Sequence, residues 1–245
     1  MISILCAYEL NPPMPEPGRS NTRSLPRGLK ILYEDRDLLV VDKPAGLLTV
    51  TTPRDRSATV SQILTDYVRK GQVKSRKQIF AVHRLDKQTT GVLVFAKRDD
   101  IREQLQVHWP EIRKIYLAVV HGRPEKPADT ITTFLTETRT HKVYSTPDAK
   151  EGKLACTAYR VIKEAKGYSL LEINLLTGRK NQIRVHLAGI GHPVVGDRKY
   201  GQATTKWHLG LHARSIGLLH PRTGERLTIQ APVPTYFKAW IGSLP

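Results

Sequence analysis

Val82-His83-Arg84-Leu85-Asp86-Lys87-Gln88-Thr89-Thr90-Gly91, continued by Val92-Leu93-Val94-Phe95-Ala96, is the stretch around which the chain is organised. Its second half is a run of branched and aromatic residues that reads as a buried strand. Its first half is polar and holds one acid, Asp86, between basic neighbours. A polar loop feeding a rigid strand is where reactive side chains are commonly presented. Taken alone, Asp86 is equally a turn residue or a solvated ion pair, because short motifs match often by chance. The rest of the chain has to decide.

Working outward, similar apolar runs recur. Leu29 to Tyr33 and Leu38 to Asp42, joined by Glu34-Asp35-Arg36-Asp37, read as a hairpin that ends where Pro44 and Gly46 break the strand, with Lys43 at its mouth. Ser57-Ala58-Thr59 precedes apolar positions Val60, Ile63, Leu64, Tyr67 and Val68 at helical spacing, a capped helix. A second helix is expected from Arg98-Asp99-Asp100, with Ile101, Leu105 and Trp109 inward. Arg113 to Val120, Thr130 to Leu135, Leu154 to Ile162 and Tyr168 to Leu176 read as strands, the middle two separated by a charged loop. Ile183, Leu187 and Ile190 define the inward face of a third helix, with Arg184 beside that face near its start and His186 read as a core histidine. Leu209 to Leu219 and Leu227 to Ile229 form a last strand pair across the Pro221 to Glu225 turn, and a short helix around 236–241 closes the chain. Strands and helices do not alternate regularly. The expected class is therefore α+β, one catalytic domain on a central, mostly antiparallel mixed sheet with short flanking helices. Residues 1–28 carry five prolines among Gly, Ser and Asn and read as a flexible tail ahead of a domain spanning 29–245.

Charge narrows the partner. In 245 residues, 39 Lys and Arg face 22 Asp and Glu, a net charge of +17. A field of that sign attracts polyanions, and nucleic acid is the commonest. The cations are spread through folded segments instead of clustering on one amphipathic helix, which argues against a membrane surface. Cys6 and Cys156 stand too far apart for a disulfide framework or zinc pattern, and no run reaches membrane-spanning length, so a cytoplasmic protein is expected. Phosphate loops of the Walker type, dinucleotide fingerprints, serine elbows and metal-ligand spacings are all missing from the sequence, which leads us to expect no cofactor and no metal. A cofactor-free enzyme on nucleic acid and a binding module remain.

Six segments then occur in a recognisable order: Asp37 to Gly46, His83-Arg84-Leu85-Asp86 with Thr90-Gly91, Lys114-Ile115-Tyr116, Thr177-Gly178-Arg179 through Gln182-Ile183-Arg184-Val185-His186, Gly191-His192-Pro193 with Gly196-Asp197, and Leu211-His212-Ala213. In this order they resemble the RluA-type RNA pseudouridine synthases over roughly residues 29 to 231. The resemblance implies isomerisation of selected uridines in structured RNA, with Asp86 as catalytic aspartate, Arg184 as the arginine pairing with it and Tyr116 as the tyrosine stacking on the target uracil. Arg84 falls where the family places an arginine near the RNA. By the same resemblance His83, Lys43, Arg179, Lys114, Gln182, Ile183 and Leu211 are expected to bind substrate or RNA. Asn181 departs from the family pattern, which usually has histidine there. The family's frequent N-terminal domain of the S4 type is not recognisable, so recognition should fall to the catalytic domain, expected to act as a monomer.

The chemistry agrees with that resemblance. Isomerisation breaks a glycosidic bond, turns the uracil and rejoins it through carbon. A hydrolytic glycosidase needs a second carboxylate to activate water; here the detached base replaces water. Asp86 would act as nucleophile on the ribose or as base on a ribose proton, both requiring a carboxylate kept charged by a nearby cation. Ribosomal RNA is the expected substrate; a tRNA-directed synthase and a non-catalytic RNA-binding module are the alternatives.

Overall fold

The computed structural model describes residues 23–52, 55, 57–72, 74–201 and 208–243. In chain order the elements are β1 (Arg23–Ser24), β2 (Lys30–Glu34), β3 (Leu38–Lys43), α1 (Val60–Arg69), β4 (Phe80–Ala81), β5 (Thr90–Ala96), α2 (Asp99–Val107), β6 (Arg113–His121), β7 (Ala128–Glu137), β8 (Val143–Thr146), β9 (Lys153–Ala165), β10 (Tyr168–Leu175), α3 (Gln182–Gly189), β11 (Leu211–Leu219), β12 (Arg226–Gln230) and α4 (Phe237–Ile241). All the strands join one sheet in the order β1-β2-β3-β5-β11-β6-β10-β9-β7-β8, with β12 on β11 and β4 on β5. Every ladder is antiparallel except β5 with β11, where His212 and Ala213 pair with Thr90 and Gly91. The expected mixed, mostly antiparallel sheet is what the chain forms.

β3 and β5 are buried because both sheet faces are covered there. Leu39, Val41, Leu93 and Phe95 face the cluster that α1 and α3 complete with Leu64, Ile183 and Leu187, whereas Val40, Val92 and Val94 face Ile101 and Leu105 of α2. Farther along the sheet, Phe237 and Trp240 of α4 pack on Leu117 and Val119. Continuous apolar runs, not alternating ones, are what a doubly covered strand demands. The parallel ladder requires a glycine. Gly91 has φ +107, and a Cβ there would sit 2.1 Å from the Ala213 carbonyl oxygen. α1 starts as expected, with a capping box in which Gln62 N–H donates to Thr59 Oγ1 at 3.2 Å and Thr59 N–H donates to Gln62 Oε1 at 3.0 Å.

Three local expectations change. Arg23–Ser24, assigned to the tail, pair with β2, and Pro26–Gly28 form a short 3₁₀ turn; residues 1–22 of the tail lie outside the described residues. The charged connection after β7 contains β8, a hairpin partner too short and too polar to register as a strand by periodicity. Ile190 is not inward: α3 ends at Gly189 and Ile190 is 37% exposed. The other two apolar positions of that face are buried as expected, and His186 is a core histidine, 1% exposed between Thr133 Oγ1 and Thr157 Oγ1 at 3.0 and 2.9 Å.

Candidate active site

Asp86 stands on the loop that enters β5, and several unrelated elements fix that loop. Thr49 pins Leu85 by donating to its carbonyl and accepting its N–H, both at 3.2 Å. Gly46 N–H and Lys43 Nζ both donate to the Lys87 carbonyl, at 2.8 and 3.0 Å. Lys43 also donates to the carbonyls of Pro44 and Leu47 at 3.0 and 2.9 Å. This corrects the expectation that Lys43 faces RNA. Its side chain is fully buried with all three donors used, a clamp beneath the loop. Burial pulls its pKa down to about 7, with the charges of Asp86 and Asp42 opposing that fall.

The other expected residues line one cleft of about 730 Å³ between the loop, the start of α3 and strands β6 and β11. Arg84 is exposed at its rim. Tyr116, 8% exposed, forms its floor beside Leu211 and Ile183, both about 5% exposed or less. Burial, reinforced by the charge of Asp86, pushes the Tyr116 hydroxyl well above its ordinary range, so the phenol stays neutral beside the acid. Lys114 lies over the Trp109 ring, 5.6 Å from its centroid, and donates to the Trp109 carbonyl at 2.8 Å; burial lowers its pKa to about 8. Arg179 donates from Nε to the Leu154 carbonyl at 3.0 Å while remaining exposed.

Two of the expected RNA contacts turn out to be engaged inside the protein, Gln182 through its whole amide and His83 through its ring face and Nε2. His83 stacks on Trp109 with centroids 4.5 Å apart, and its Nε2 accepts the Val94 N–H at 3.1 Å. Burial and then the Lys114 charge lower its pKa to about 3, consistent with the neutral ring that accepting requires. Gln182 is 2% exposed and makes four bonds. Its Oε1 accepts from Thr177 Oγ1 and Arg179 N–H, and its Nε2 donates to the Cys156 carbonyl and Thr157 Oγ1. Both residues border the cleft, but the Gln182 amide and the His83 Nε2 hold the scaffold together.

The arginine does meet the acid. Arg184 Nη1 donates to Asp86 Oδ2 at 2.9 Å, although 98 residues separate them in the chain. Sequence reasoning missed what stands behind Arg184. Its Nε and Nη2 make a bidentate pair with Asp197 Oδ2 and Oδ1 at 2.7 and 2.8 Å, and the Asp197 side chain is wholly buried. Asp197 Oδ1 also accepts the N–H groups of Lys199 and Tyr200. Burial disfavours the charged form of each partner, but the hydrogen bonds and mutual charge outweigh it: Arg184 is held above its ordinary range and Asp197 below its own. Gly196 makes this placement possible, since at φ +76 a Cβ would lie 2.2 Å from the His208 carbonyl oxygen. The signal was present in the Gly196-Asp197 pair, but spacing alone could not say which cation it served.

Among the described residues one carboxylate lines the cleft, Asp86, facing cations from Arg84, Lys87, Lys114, Arg179, Lys180 and Arg184. No helix among the described residues is long and apolar enough to cross a membrane. The family model for RNA pseudouridylate synthases matches residues 37–189, which contain the loop, Tyr116 and Arg184. An uncharacterised RNA pseudouridine synthase of Bacillus subtilis, YlyB, is 36% identical over 90% of this chain and 74% of its own. The ribosomal large subunit pseudouridine synthase D of Zymomonas mobilis is 31% identical over 95% of this chain and 77% of its own. Human RNA pseudouridylate synthase domain containing 4 superposes with a TM-score of 0.71 at 25% identity, covering 84% of this chain and 89% of that one. A single-carboxylate cleft ringed by cations, on a sheet shared with the human protein and lined almost wholly by residues that the family model matches, leads to one conclusion: the chain belongs to the RNA pseudouridylate synthase family and is an isomerase acting on RNA.

Proposed function

We propose that this chain converts uridines of large-subunit ribosomal RNA to pseudouridine in the cytoplasm, with Asp86 as its reacting carboxylate. The observation that carries the assignment is the lone carboxylate of the cleft, 2.9 Å from the Arg184 guanidinium. A hydrolase of glycosidic bonds would need a second acid to activate water. With one, the carboxylate can attack the ribose or take a ribose proton, and the freed uracil is the only acceptor left for the anomeric carbon. The bond from that carbon to the ring nitrogen breaks, a bond to ring carbon forms, and the proton on that carbon is lost as the nitrogen regains one, so no atom is added or removed. Arg184 supplies the fixed charge, and Tyr116 the apolar face against which the base is turned.

The target nucleotide has to leave its stack to reach Asp86. Flipping costs a few kcal/mol, and stacking on an aromatic ring recovers ~1–3 kcal/mol per base. Cations at the rim, Arg84, Arg179 and Lys180 among them, supply phosphate contacts. Ribosomal RNA is favoured over tRNA by the relative in Zymomonas mobilis, named for the large ribosomal subunit.

Asp86→Asn is expected to abolish tritium release from [5-³H]uridine-labelled RNA while RNA binding stays within a few-fold. Activity retained in that variant would remove Asp86 from the mechanism. Mapping pseudouridines in cells with and without the gene should show sites missing from large-subunit ribosomal RNA; sites missing from tRNA alone would overturn the substrate assignment.

A further inference from the structure

Arg184 has a third anchor that neither the ion pair with Asp86 nor the buried pair with Asp197 explains. Asn181, immediately before α3, sits in the left-handed region at φ 54 and ψ 16. Its Oδ1 accepts from Arg184 Nη1 at 2.9 Å, and its Nδ2 donates to the Tyr200 hydroxyl at 3.1 Å. The orientation of the amide is dictated by its neighbours: a guanidinium only donates, so the oxygen must face it. Tyr200 in turn lies under the guanidinium, 5.2 Å from ring centroid to Cζ, and its hydroxyl accepts the Val143 N–H of β8 at 3.1 Å.

We propose that Asn181 is a positioning residue for the isomerisation: its amide, braced by Tyr200, turns Nη1 of Arg184 toward Asp86. The proposal rests on Asp86 being the reacting carboxylate. Asp197 holds the far edge of the guanidinium through Nε and Nη2, which fixes that edge but leaves the group free to tip about it. Nη1 carries two N–H groups. With one committed to Asn181, the other is aimed at Asp86 Oδ2, and the two 2.9 Å contacts define a single orientation. An amide suits this role because it offers an acceptor to the arginine and a donor to the phenol at every pH. The left-handed backbone brings that side chain back over the first turn of α3, and asparagine tolerates it better than most residues.

The test compares Asn181→Gly with Asn181→His, using steady-state pseudouridine formation on labelled RNA from pH 5.5 to 8.5. Glycine keeps the positive φ without strain, so Asn181→Gly should unfold near the wild-type temperature. It should lose kcat by roughly 10- to 100-fold, the scale of a misaligned catalytic group, with KM within about threefold. A neutral histidine can accept from Arg184 on one nitrogen and donate from the other; protonated, it can only donate. Asn181→His should therefore recover most of kcat at pH 8 and lose it on the acid side with a new midpoint at or below about 6.5. The cations Arg184, Lys180 and Lys199 disfavour a further charge there, while Asp86, Asp197 and Glu137 favour it. Wild-type kcat in Asn181→Gly, a loss residing in KM, or a pH profile of Asn181→His parallel to wild type would each overturn the proposal. The Asp86 assignment is read separately in the same assay: an active Asp86→Asn removes it, whereas an inactive Asp86→Asn beside a fully active Asn181→Gly removes only the role of Asn181.

Discussion

Replacing Arg184 by lysine separates the two carboxylates that share it. The guanidinium serves Asp197 from Nε and Nη2 and Asp86 from Nη1, on different edges of a rigid fork. One ammonium nitrogen cannot occupy both positions. Burial decides where it goes. The Asp197 side chain is 0% exposed and that of Asp86 31% exposed, so leaving Asp197 without a cation is the costlier choice. The ammonium should stay with Asp197, and Asp86 should lose its partner. A charge-assisted hydrogen bond is worth ~1.5–3 kcal/mol, and the partial exposure of Asp86 puts this one toward the lower end. Through transition-state arithmetic that is roughly a 10- to 30-fold fall in kcat. Global stability should drop by only ~1–2 kcal/mol, because one of the two bonds to Asp197 survives in some form. Arg184→Ala should instead cost ~3–5 kcal/mol, since it strands a buried carboxylate. Tritium release gives kcat and KM, and urea denaturation gives stability. A kcat within threefold of wild type for Arg184→Lys, or equal stability loss in the lysine and alanine variants, would refute the division of labour between the two acids.

Two further predictions probe the frame that carries the site. Gly91→Ala should destabilise by at least ~3–5 kcal/mol, because a Cβ would collide with the Ala213 carbonyl where β5 meets β11; Gly224→Ala, at φ +72 with open space around it, should cost only about 1 kcal/mol. Comparable thermal midpoints for the two variants would show that the parallel ladder can spread. Asp42 is a largely buried carboxyl whose pKa burial raises to about 6, against the opposing charges of Lys30 and Lys43. A folded-state value above the unfolded one means that protonation favours folding, so the cost of Asp42 builds as pH rises from the ordinary aspartate range of about 4 to about 6 and is fully present above that. Asp42→Asn should therefore stabilise the protein by ~1–3 kcal/mol at pH 8 and by roughly half as much at pH 5; an equal gain at both values in chemical denaturation would show that ionisation is not the cause.

Much was legible from the chain alone, and for local reasons. Apolar runs at Leu38 to Val41 and Val92 to Ala96 announce strands because a doubly covered strand needs no polar face. Thr59 and Gln62 announce the start of α1 because a capping box satisfies helix N–H groups within four residues. The order of motifs around Asp86, Tyr116 and Arg184 identified the family, since residue types and their order along the chain are carried by the sequence itself. What only the tertiary structure decided is how polar groups pair over long chain separations. Lys43 reads as a strand-end cation, yet it closes on the Lys87 carbonyl; His83 and Gln182 read as site residues, yet the Nε2 of the one is taken by the Val94 N–H and the amide of the other by backbone and hydroxyl partners. Asp197 and Asn181 sit thirteen and three residues from Arg184, and neither spacing says that one takes two of its nitrogens and the other shares the third. Periodicity reports which face of an element is buried. The partner of a buried charge depends on which segments the sheet order brings together, and here that order sets β5 beside β11, closing the loop of Asp86 over the first turn of α3.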